Sequence, residues 1–524
     1  MNVSTNRKIA NASAILIAAS GLSYILSLAK EIMVANYFGI TGAMDAFYAA
    51  IAFPTLINNV LLTTFGAVFI PLFIRYRLKD RMEANRLASI TINYLVLFLI
   101  LTALLLALCA PWIIHYGFHG LPGDTAAMSV HMVRILCIAV VLGGAIGIMA
   151  GILNAQEHFT APAFSNMLIT ASTILCIVFF VNRWGVLVLP YGLLAGLVAQ
   201  LLFLVPVLRA KGYHHSLSFA AGHPAVKEML SLSCVYFWAI IAAQVNLLVG
   251  RVMASYLAPG SIAALGYAEK LIQAPIVIFT ASLATAVYPF FSTQVAENRI
   301  DELKDSLAKG IRMSGLIFIP LTAVLIVMAK PIIQLVFQRG AFGRDATELT
   351  SALLICYSLQ LFFYTVGVII IRVFLAFQEM GILVKVASAG VLVNVLLNVL
   401  FIKLVRPPAA GIALSTSCVQ LIMAAAFFVA LRKRIGAMSG RSVAIGLVKV
   451  AAVAVVMGLG MHVIYGMCRR MMVQPTEMSG AVCVLITVAS GCLIFGVLGF
   501  LLKVEELNYA ANVVKKRLGG VNRG

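Results

Sequence analysis

The chain has 524 residues, of which 62% are hydrophobic and only 11% carry a charge, and its mean hydropathy is +1.04. Soluble globular proteins carry about 25% charged residues, so this composition excludes a soluble enzyme or binding module. The net charge of +20 does not indicate a nucleic-acid partner, because most of the lysines and arginines fall in alternate loops between apolar runs.

Apolar runs recur along the whole chain, and each is about twenty residues long, the length that an α-helix needs to cross a bilayer. They predict an all-α, polytopic membrane protein with about 14 transmembrane helices. The loops are too short to hold a soluble catalytic domain, and no cleavable signal peptide is evident at the first run. The predicted helices lie at residues 10–37, 45–76, 84–114, 127–155, 160–182, 187–209, 227–257, 262–295, 306–337, 347–377, 381–404, 408–432, 442–467 and 477–503.

The basic residues are distributed unequally between the two sides of the predicted membrane. The loops on one side hold 23 lysines and arginines, and the loops on the other side hold 7. Because basic residues concentrate in cytoplasmic loops, this asymmetry predicts that both termini are cytoplasmic, which requires an even number of spans.

Short motifs recur at an offset of about 220 residues, as in transporters that arose by parallel duplication. We therefore predict a six-helix lobe at residues 1–215, a second six-helix lobe that repeats it at residues 216–436, and two additional helices with a basic tail at residues 437–524. The recurring pairs are IPLF around Pro71 with YPFF around Pro289, Arg81 with Arg299, Ala110-Pro111 with Lys330-Pro331, Gln156-Glu157 with Gln378-Glu379, and Gln200 with Gln420.

Charged residues occur inside the first helices of each half. An intramembrane charge costs roughly 2.5–3.5 kcal/mol on insertion scales and persists where it faces a protein interior or a water-filled cavity. The excess of positive charge among these residues indicates a cavity that takes an anionic substrate such as a phosphate. The predicted cavity residues are Lys30, Asp45, Arg251, Glu269 and Lys270.

Two other interpretations of these charges stay open. Lys30 and Asp45 each lie near a helix end, from which a long or polar side chain can reach the membrane interface. The charges also form adjacent pairs, Lys30 with Glu31 and Glu269 with Lys270. Neighbouring residues do not face each other on a helix, so we expect no salt bridge within either pair.

The cysteines and histidines show no chemical site. The nine cysteines are scattered through apolar segments without CxxC spacing, and we interpret them as packing residues rather than disulfides or metal ligands. The eight histidines lie singly or in short loops, without ligand spacing or partners for acid–base catalysis. We therefore expect no cofactor and no enzymatic activity, which disfavours a membrane glycosyltransferase.

Several short motifs follow one another along nearly the whole chain. They are S-x-x-L-x-x-x-[RK]-[DE] at residues 23–31, Met44-Asp45-Ala46-Phe47, Phe53-Pro54, Phe69-Ile70-Pro71, Tyr267-Ala268-Glu269-Lys270-Leu271, Phe337-Gln338-Arg339-Gly340-Ala341-Phe342, and the stretch from Arg372 to Gln378-Glu379. In this order and spacing they resemble the MviN/MurJ-type lipid II flippase family of the multidrug/oligosaccharidyl-lipid/polysaccharide exporter superfamily.

The resemblance implies two six-helix lobes in a V, followed by two helices that form a groove for a lipid tail. It implies that an undecaprenyl-pyrophosphate-linked peptidoglycan precursor moves from the inner to the outer leaflet of the bacterial cytoplasmic membrane through a cationic cavity. It also implies coupling to the membrane potential or to a monovalent cation. Lys30 matches a cavity arginine, Asp45 a cavity aspartate, and Glu269-Lys270 an acidic–basic pair. We expect a monomer whose partners are the lipid-linked anionic glycan and membrane lipids, without nucleic acid.

The sequence departs from the family pattern at several cavity positions. Family members usually carry arginines where this chain has Tyr24, Asn58 and Asn59, and we count these three residues and Arg372 as candidate substrate-binding residues. The missing arginines keep open a flippase for another lipid-linked oligosaccharide, such as an exopolysaccharide or O-antigen unit, or a transport-inactive scaffold. Arg251 is our candidate for a tethered cation at a place where some members bind sodium.

A drug/cation antiporter of the same superfamily is disfavoured, because it needs intramembrane carboxylates to bind protons and cationic substrates. The carboxylates in the predicted helices are few and are outnumbered by basic groups.

Overall fold

The computed structural model describes residues 3–156, 158–219, 228–229, 240–241, 244–246, 248–437, 440–471, 477–502, 504 and 507. Side chains are described from residue 21 onward, apart from those at positions 67, 477 and 478. All regular structure in these ranges is helical, which confirms the predicted all-α class. Glu157, Cys234 and the basic tail at residues 515–517 lie outside the described residues.

At most six residues separate consecutive helices, apart from the stretch between positions 210 and 261. In chain order they are α1 (Val3–Phe38), α2 (Gly42–Arg77), α3 (Arg81–Gly117), α4 (Gly123–Ala155), α5 (Thr160–Trp184), α6 (Val188–Ala210), α7 (Ser261–Pro275), α8 (Ala281–Ala296), α9 (Ile300–Phe337), α10 (Arg344–Ser358), α11 (Gln360–Ala376), α12 (Met380–Leu404), α13 (Pro408–Ile435), α14 (Gly440–Met471) and α15 (Glu477–Leu501).

Eleven segments of the described chain are long and apolar enough to cross a membrane. One of them, Thr160–Ala210, holds both α5 and α6, which are joined by a 3₁₀ turn at Gly185–Leu187. The predicted helix at residues 227–257 lies largely outside the described residues, so the number of 14 spans stays a prediction.

The helix boundaries repeat along the chain. The starts of α7, α9, α10, α12 and α13 follow those of α2, α3, α4, α5 and α6 by 219 to 221 residues. The offset matches the one that the sequence motifs indicate, whereas α14 and α15 have no counterpart. A duplicated chain keeps the spacing of its turns because each apolar segment must still cross the same bilayer thickness.

Two compact units make up the molecule. The first contains Met1–Ala263 together with Arg339–Phe342, and the second contains Ala264–Gln338 and Gly343–Gly524. The lobe limits that the sequence suggests, at residues 215 and 436, stay predictions.

In the first unit, α2 and α4 pack closely because α4 presents glycines to α2. A Cβ atom on Gly143 would meet the side-chain amide of Asn58, and one on Gly147 would meet Leu62. Small residues at such positions let helix backbones approach each other in a membrane, where lipid gives little hydrophobic drive for association.

In the second unit, a buried cluster joins α8, α9, α11 and α13, and its members include Phe291, Leu307, Ile369, Phe374 and Phe427. The segment Ser261–Ala296 contains a π-helical turn at Ile276–Thr280, directly after Pro275.

Candidate substrate site

Asp45 accepts backbone N–H groups from a distant part of the chain, at Gly260 and Ala263 of the first unit. It lies in the first turn of α2, and only 3% of its surface is exposed. Its Oδ2 accepts the N–H of Gly260 at 2.5 Å, and its Oδ1 accepts the N–H of Ala263 at 2.8 Å. These N–H groups belong to the start of α7, where a helix has no internal acceptors and favours a negative charge. The role of Asp45 in a substrate cavity stays a prediction, and in the structure both of its oxygens bind backbone donors.

Glycine is required at the turn that Asp45 holds. Gly260 has φ +90°, and a Cβ atom there would meet the carbonyl oxygen of Ile40. A second close approach occurs nearby, where the N–H of Ala341 donates to the carbonyl oxygen of Asn36 at 2.8 Å. Gly340 has φ +48°, and its Cβ atom would meet the same carbonyl oxygen. The short segment Arg339–Phe342 is therefore held on the end of α1 by backbone contact.

Lys30 and Glu31 form a salt bridge, so the expectation that these neighbours do not pair is wrong. The Nζ of Lys30 lies 2.8 Å from Oε1 of Glu31, and the two side chains are 24% and 5% exposed. A buried carboxylate needs a charged partner, and the flexible lysine stem allows the ammonium group to reach back along the helix. Tyr24 lies half-buried two turns earlier on α1.

Arg251 binds the backbone of α2. Its Nη1 donates to the carbonyl oxygen of Tyr48 at 3.4 Å, and its side chain is half-buried.

Asn58 and Asn59 make polar contacts inside the first unit. Asn58 Nδ2 donates to the carbonyl oxygen of Ala139 at 3.2 Å, and Asn59 Nδ2 donates to Oε1 of Gln244 at 3.4 Å. The Oδ1 atom of Asn58 is buried and has no partner among the described residues. Both amides therefore make short-range polar contacts within the first unit.

Asn58 also lines a cavity of about 390 Å³ between α2, α4, α5 and α6. Its walls are mostly apolar, and its polar residues are all amides, namely Asn58, Asn154, Asn166 and Gln200. Gln200 Nε2 donates to Ser165 Oγ at 3.0 Å and to Asn166 Oδ1 at 2.9 Å. None of the described residues that line this cavity carries a charge, so these residues are not suited to hold a phosphate.

The remaining predicted site residues belong to the second unit. Glu269 is half-buried and Lys270 is exposed on α7. The guanidinium of Arg372 on α11 lies 5.7 Å from the ring centroid of Tyr288 on α8, which is within cation–π range. The structure thus gives each of these charged residues a place within a membrane-length segment, while their joint action on a substrate stays a prediction.

A polar stripe, which is a row of polar side chains along α3, was not predicted from the sequence. The segment at residues 211–219 runs along α3 and is held by side chains spaced about four residues apart. At the start of the segment, Arg81 Nη2 donates to Lys211 O at 2.7 Å and Asn85 Nδ2 donates to Gly212 O at 3.0 Å. In its middle, Ser89 Oγ lies 3.1 Å from Tyr213 Oη. Towards its end, Asn93 Nδ2 donates to Ser216 O and Ser218 O at 3.0 Å, and Tyr94 Oη donates to Phe219 O at 2.9 Å. Polar residues at i, i+4 and i+8 of an apolar helix were the available signal.

No group of three or more histidine, cysteine, aspartate or glutamate side chains suited to a metal ion occurs among the described residues.

Comparison with known proteins identifies the family. The family model described as lipid II flippase MurJ matches residues 34–478. A probable lipid II flippase MurJ of Synechocystis is 30% identical over 471 residues, covering 87% of this chain and 88% of that protein. The chain belongs to the lipid II flippase MurJ family. The family resemblance inferred from the motifs is confirmed, and so is the expectation of a membrane transporter rather than an enzyme, because flippases move their substrates without converting them.

Other relatives and solved structures agree with this family. The lipid II flippase MurJ of Burkholderia cenocepacia is 26% identical over 427 residues, which cover 79% of this chain and 82% of that protein. A lipid II flippase MurJ in an inward closed conformation superposes with a TM-score of 0.77 at 22% identity, covering 93% of this chain and 99% of that one. An inward-facing multidrug transporter of the MATE family superposes with a TM-score of 0.66 at 15% identity, over 79% and 94% of the two chains. These identities show a shared fold only.

Proposed function

We propose that this protein is a lipid II flippase. It moves the undecaprenyl-pyrophosphate-linked peptidoglycan precursor from the inner to the outer leaflet of the bacterial cytoplasmic membrane by alternating access. The observation that carries this proposal is the family match over residues 34–478, because it includes most of the membrane-crossing segments. The relatives that cover most of the chain are described as lipid II flippases or probable ones.

The proposed substrate contacts are the intramembrane basic residues Lys30, Arg251, Lys270 and Arg372. A pyrophosphate carries negative charge that must be compensated inside a membrane, and lysine and arginine are the side chains suited to this task. The Lys30 side chain lies beside Glu31 and is 24% exposed, and Lys270 is exposed. Asp45 and Glu269 are then structural or counter-charge partners rather than direct phosphate ligands.

A second cargo is favoured by one specific observation. The side-chain amide of Asn58 donates to Ala139 O, and that of Asn59 donates to Gln244 Oε1. Neither residue supplies the positive charge that the resemblance leads us to expect from arginines at these positions. A lipid-linked oligosaccharide with a different head group, such as an exopolysaccharide or O-antigen unit, is therefore the alternative substrate.

We further propose a monomer with both termini in the cytoplasm. The excess of basic residues in one set of loops supports this orientation. We also propose that the transport cycle is coupled to the membrane potential, because that potential acts on the charged residues of the site.

The test is rescue of a bacterium depleted of its own lipid II flippase. The wild-type chain should restore growth, and the Lys30→Ala/Lys270→Ala double variant should fail at equal membrane abundance. Lys449→Ala, which removes an exposed lysine from α14, is the matched control and should rescue like the wild type. Failure of a well-expressed wild-type chain would instead support the alternative cargo, and rescue by the double variant would contradict the cationic site.

A further inference from the structure

Two cysteines meet on the last pair of helices. Cys468 lies near the end of α14, and Cys483 lies early in α15. Cys468 is a side-chain neighbour of Cys483. Cys483 is 5% exposed, whereas Cys468 is partly accessible.

The register of the two helices supports this meeting independently. α14 and α15 form an antiparallel hairpin in which Met461 packs on Gly491 and Ile494 lies against Gly460. Continuing this register along the two helices brings position 468 opposite positions 484–486, directly beside Cys483. A Cβ atom on Gly491 would meet Met461 Sδ at 2.5 Å, so the two helices approach closely enough to hold facing cysteines together.

The pair lies at the surface end of the hairpin. Arg469 and Arg470 follow Cys468 directly, and α14 ends at Met471. Arginines at a helix end mark the membrane interface, because their charged groups stay in the polar region. By the positive-inside distribution, this end of the hairpin lies on the less basic, external side, where bacterial proteins meet thiol-oxidising conditions.

We propose that Cys468 and Cys483 form a disulfide that staples the α14–α15 hairpin. For these two residues this proposal replaces the interpretation of the cysteines as packing residues alone. It does not depend on which lipid-linked cargo the protein carries.

The reaction is thiol–disulfide exchange with a disulfide oxidant. The Cys468 thiolate attacks one sulfur of the oxidant, forms a mixed disulfide and releases one thiolate of the oxidant. Cys483 then gives up its proton, attacks Cys468 and releases the second thiolate. The two protein thiols are oxidised while one oxidant disulfide is reduced to two thiols.

The test uses the purified full-length protein and oxidised glutathione, with and without a later reductant. Trypsin cleaves after Arg469 and Arg470, between the two cysteines, so their peptides stay joined only if the disulfide forms. Cys492 lies on the same tryptic peptide as Cys483, so a Cys492→Ser background leaves one cysteine in each peptide. We expect joined peptides after oxidation, loss of the product with reductant, and no product in Cys468→Ser or Cys483→Ser.

Cys356 and Cys418 give an internal control. They lie on α10 and α13, which meet where Ser417 Oγ donates to Cys356 O at 2.6 Å. Both lie in the middle of membrane-crossing segments, and we expect them to stay reduced. Full alkylation of Cys468 and Cys483 after oxidation would overturn the proposal. Equal cross-linking of both cysteine pairs would overturn it as well, because it would show unselective oxidation.

Discussion

Asp45 and Gly260 are 215 residues apart in sequence, yet Asp45 Oδ2 accepts the Gly260 N–H at 2.5 Å. The same carboxylate accepts the N–H of Ala263, so one buried side chain satisfies two donors at the start of α7. A carboxylate that the sequence alone suggests for a cavity therefore also stabilises a helix terminus.

Replacing Asp45 should destabilise the protein. Asp45→Ala leaves two buried N–H groups without acceptors, which costs about 1–3 kcal/mol for each unsatisfied group. Asp45→Asn keeps one acceptor oxygen and should lose less. Thermal unfolding in detergent measures both effects, with Asp124→Asn in the first turn of α4 as an exposed control. An Asp45→Ala variant as stable as the wild type would show that the capping bonds contribute nothing.

Gly340 should not tolerate a side chain. Its φ of +48° costs other residues about 1–2 kcal/mol, and a Cβ atom would meet the carbonyl oxygen of Asn36. Gly340→Ala is therefore expected to lower the unfolding temperature. Gly343→Ala is the matched control, because Gly343 has open space around its Cβ position and an ordinary φ of −78°. Equal losses in the two variants would contradict the close approach to α1.

Tyr213, in the segment at residues 211–219, should make the free energy of unfolding fall at alkaline pH. Burial raises the pKa of Tyr213 from 10.0 to about 12, although its hydrogen bond with Ser89 acts in the opposite direction. Since the raised pKa belongs to the folded state, the contribution of Tyr213 is complete below pH 10 and is lost as the pH rises toward about 12. Unfolding free energies measured across this window should fall less steeply in Tyr213→Phe than in the wild type.

A control for that experiment is Tyr256→Phe, because Tyr256 is 56% exposed. Its alkaline slope should match that of the wild type. If Tyr213→Phe also retains the full slope, Tyr213 does not titrate in this window.

Restoring arginines should have different effects at neighbouring positions. Asn58 is packed against α4, where its Nδ2 bonds Ala139 and a Cβ atom on Gly143 would meet the same nitrogen at 2.5 Å. Asn58→Arg should overpack this contact and destabilise the protein by about 1–3 kcal/mol. Asn59→Arg loses only a long bond of 3.4 Å to Gln244 and should remain close to wild-type stability. Unfolding temperatures of the two variants, compared side by side, test this difference, and equal losses would contradict it.

The amino-acid sequence by itself located most of the described helices, and its motifs that recur at a fixed offset predict a duplication. Helix boundaries depend on apolar runs and turn residues, which are local, and the predicted limits at residues 45–76 and 408–432 lie close to α2 and α13. Repeated motifs at Pro71 and Pro289 likewise need only a comparison of the chain with itself.

Only the tertiary structure decided which side chains meet. Helical spacing disfavoured the Lys30–Glu31 pair, yet burial of the carboxylate and the length of the lysine stem bring the two charges together. The Asp45–Gly260 cap, the polar stripe of α3 and the Cys468–Cys483 pair each join residues that no local period relates. Their partners follow from the packing of whole helices, in which most buried polar groups find a donor or acceptor within reach.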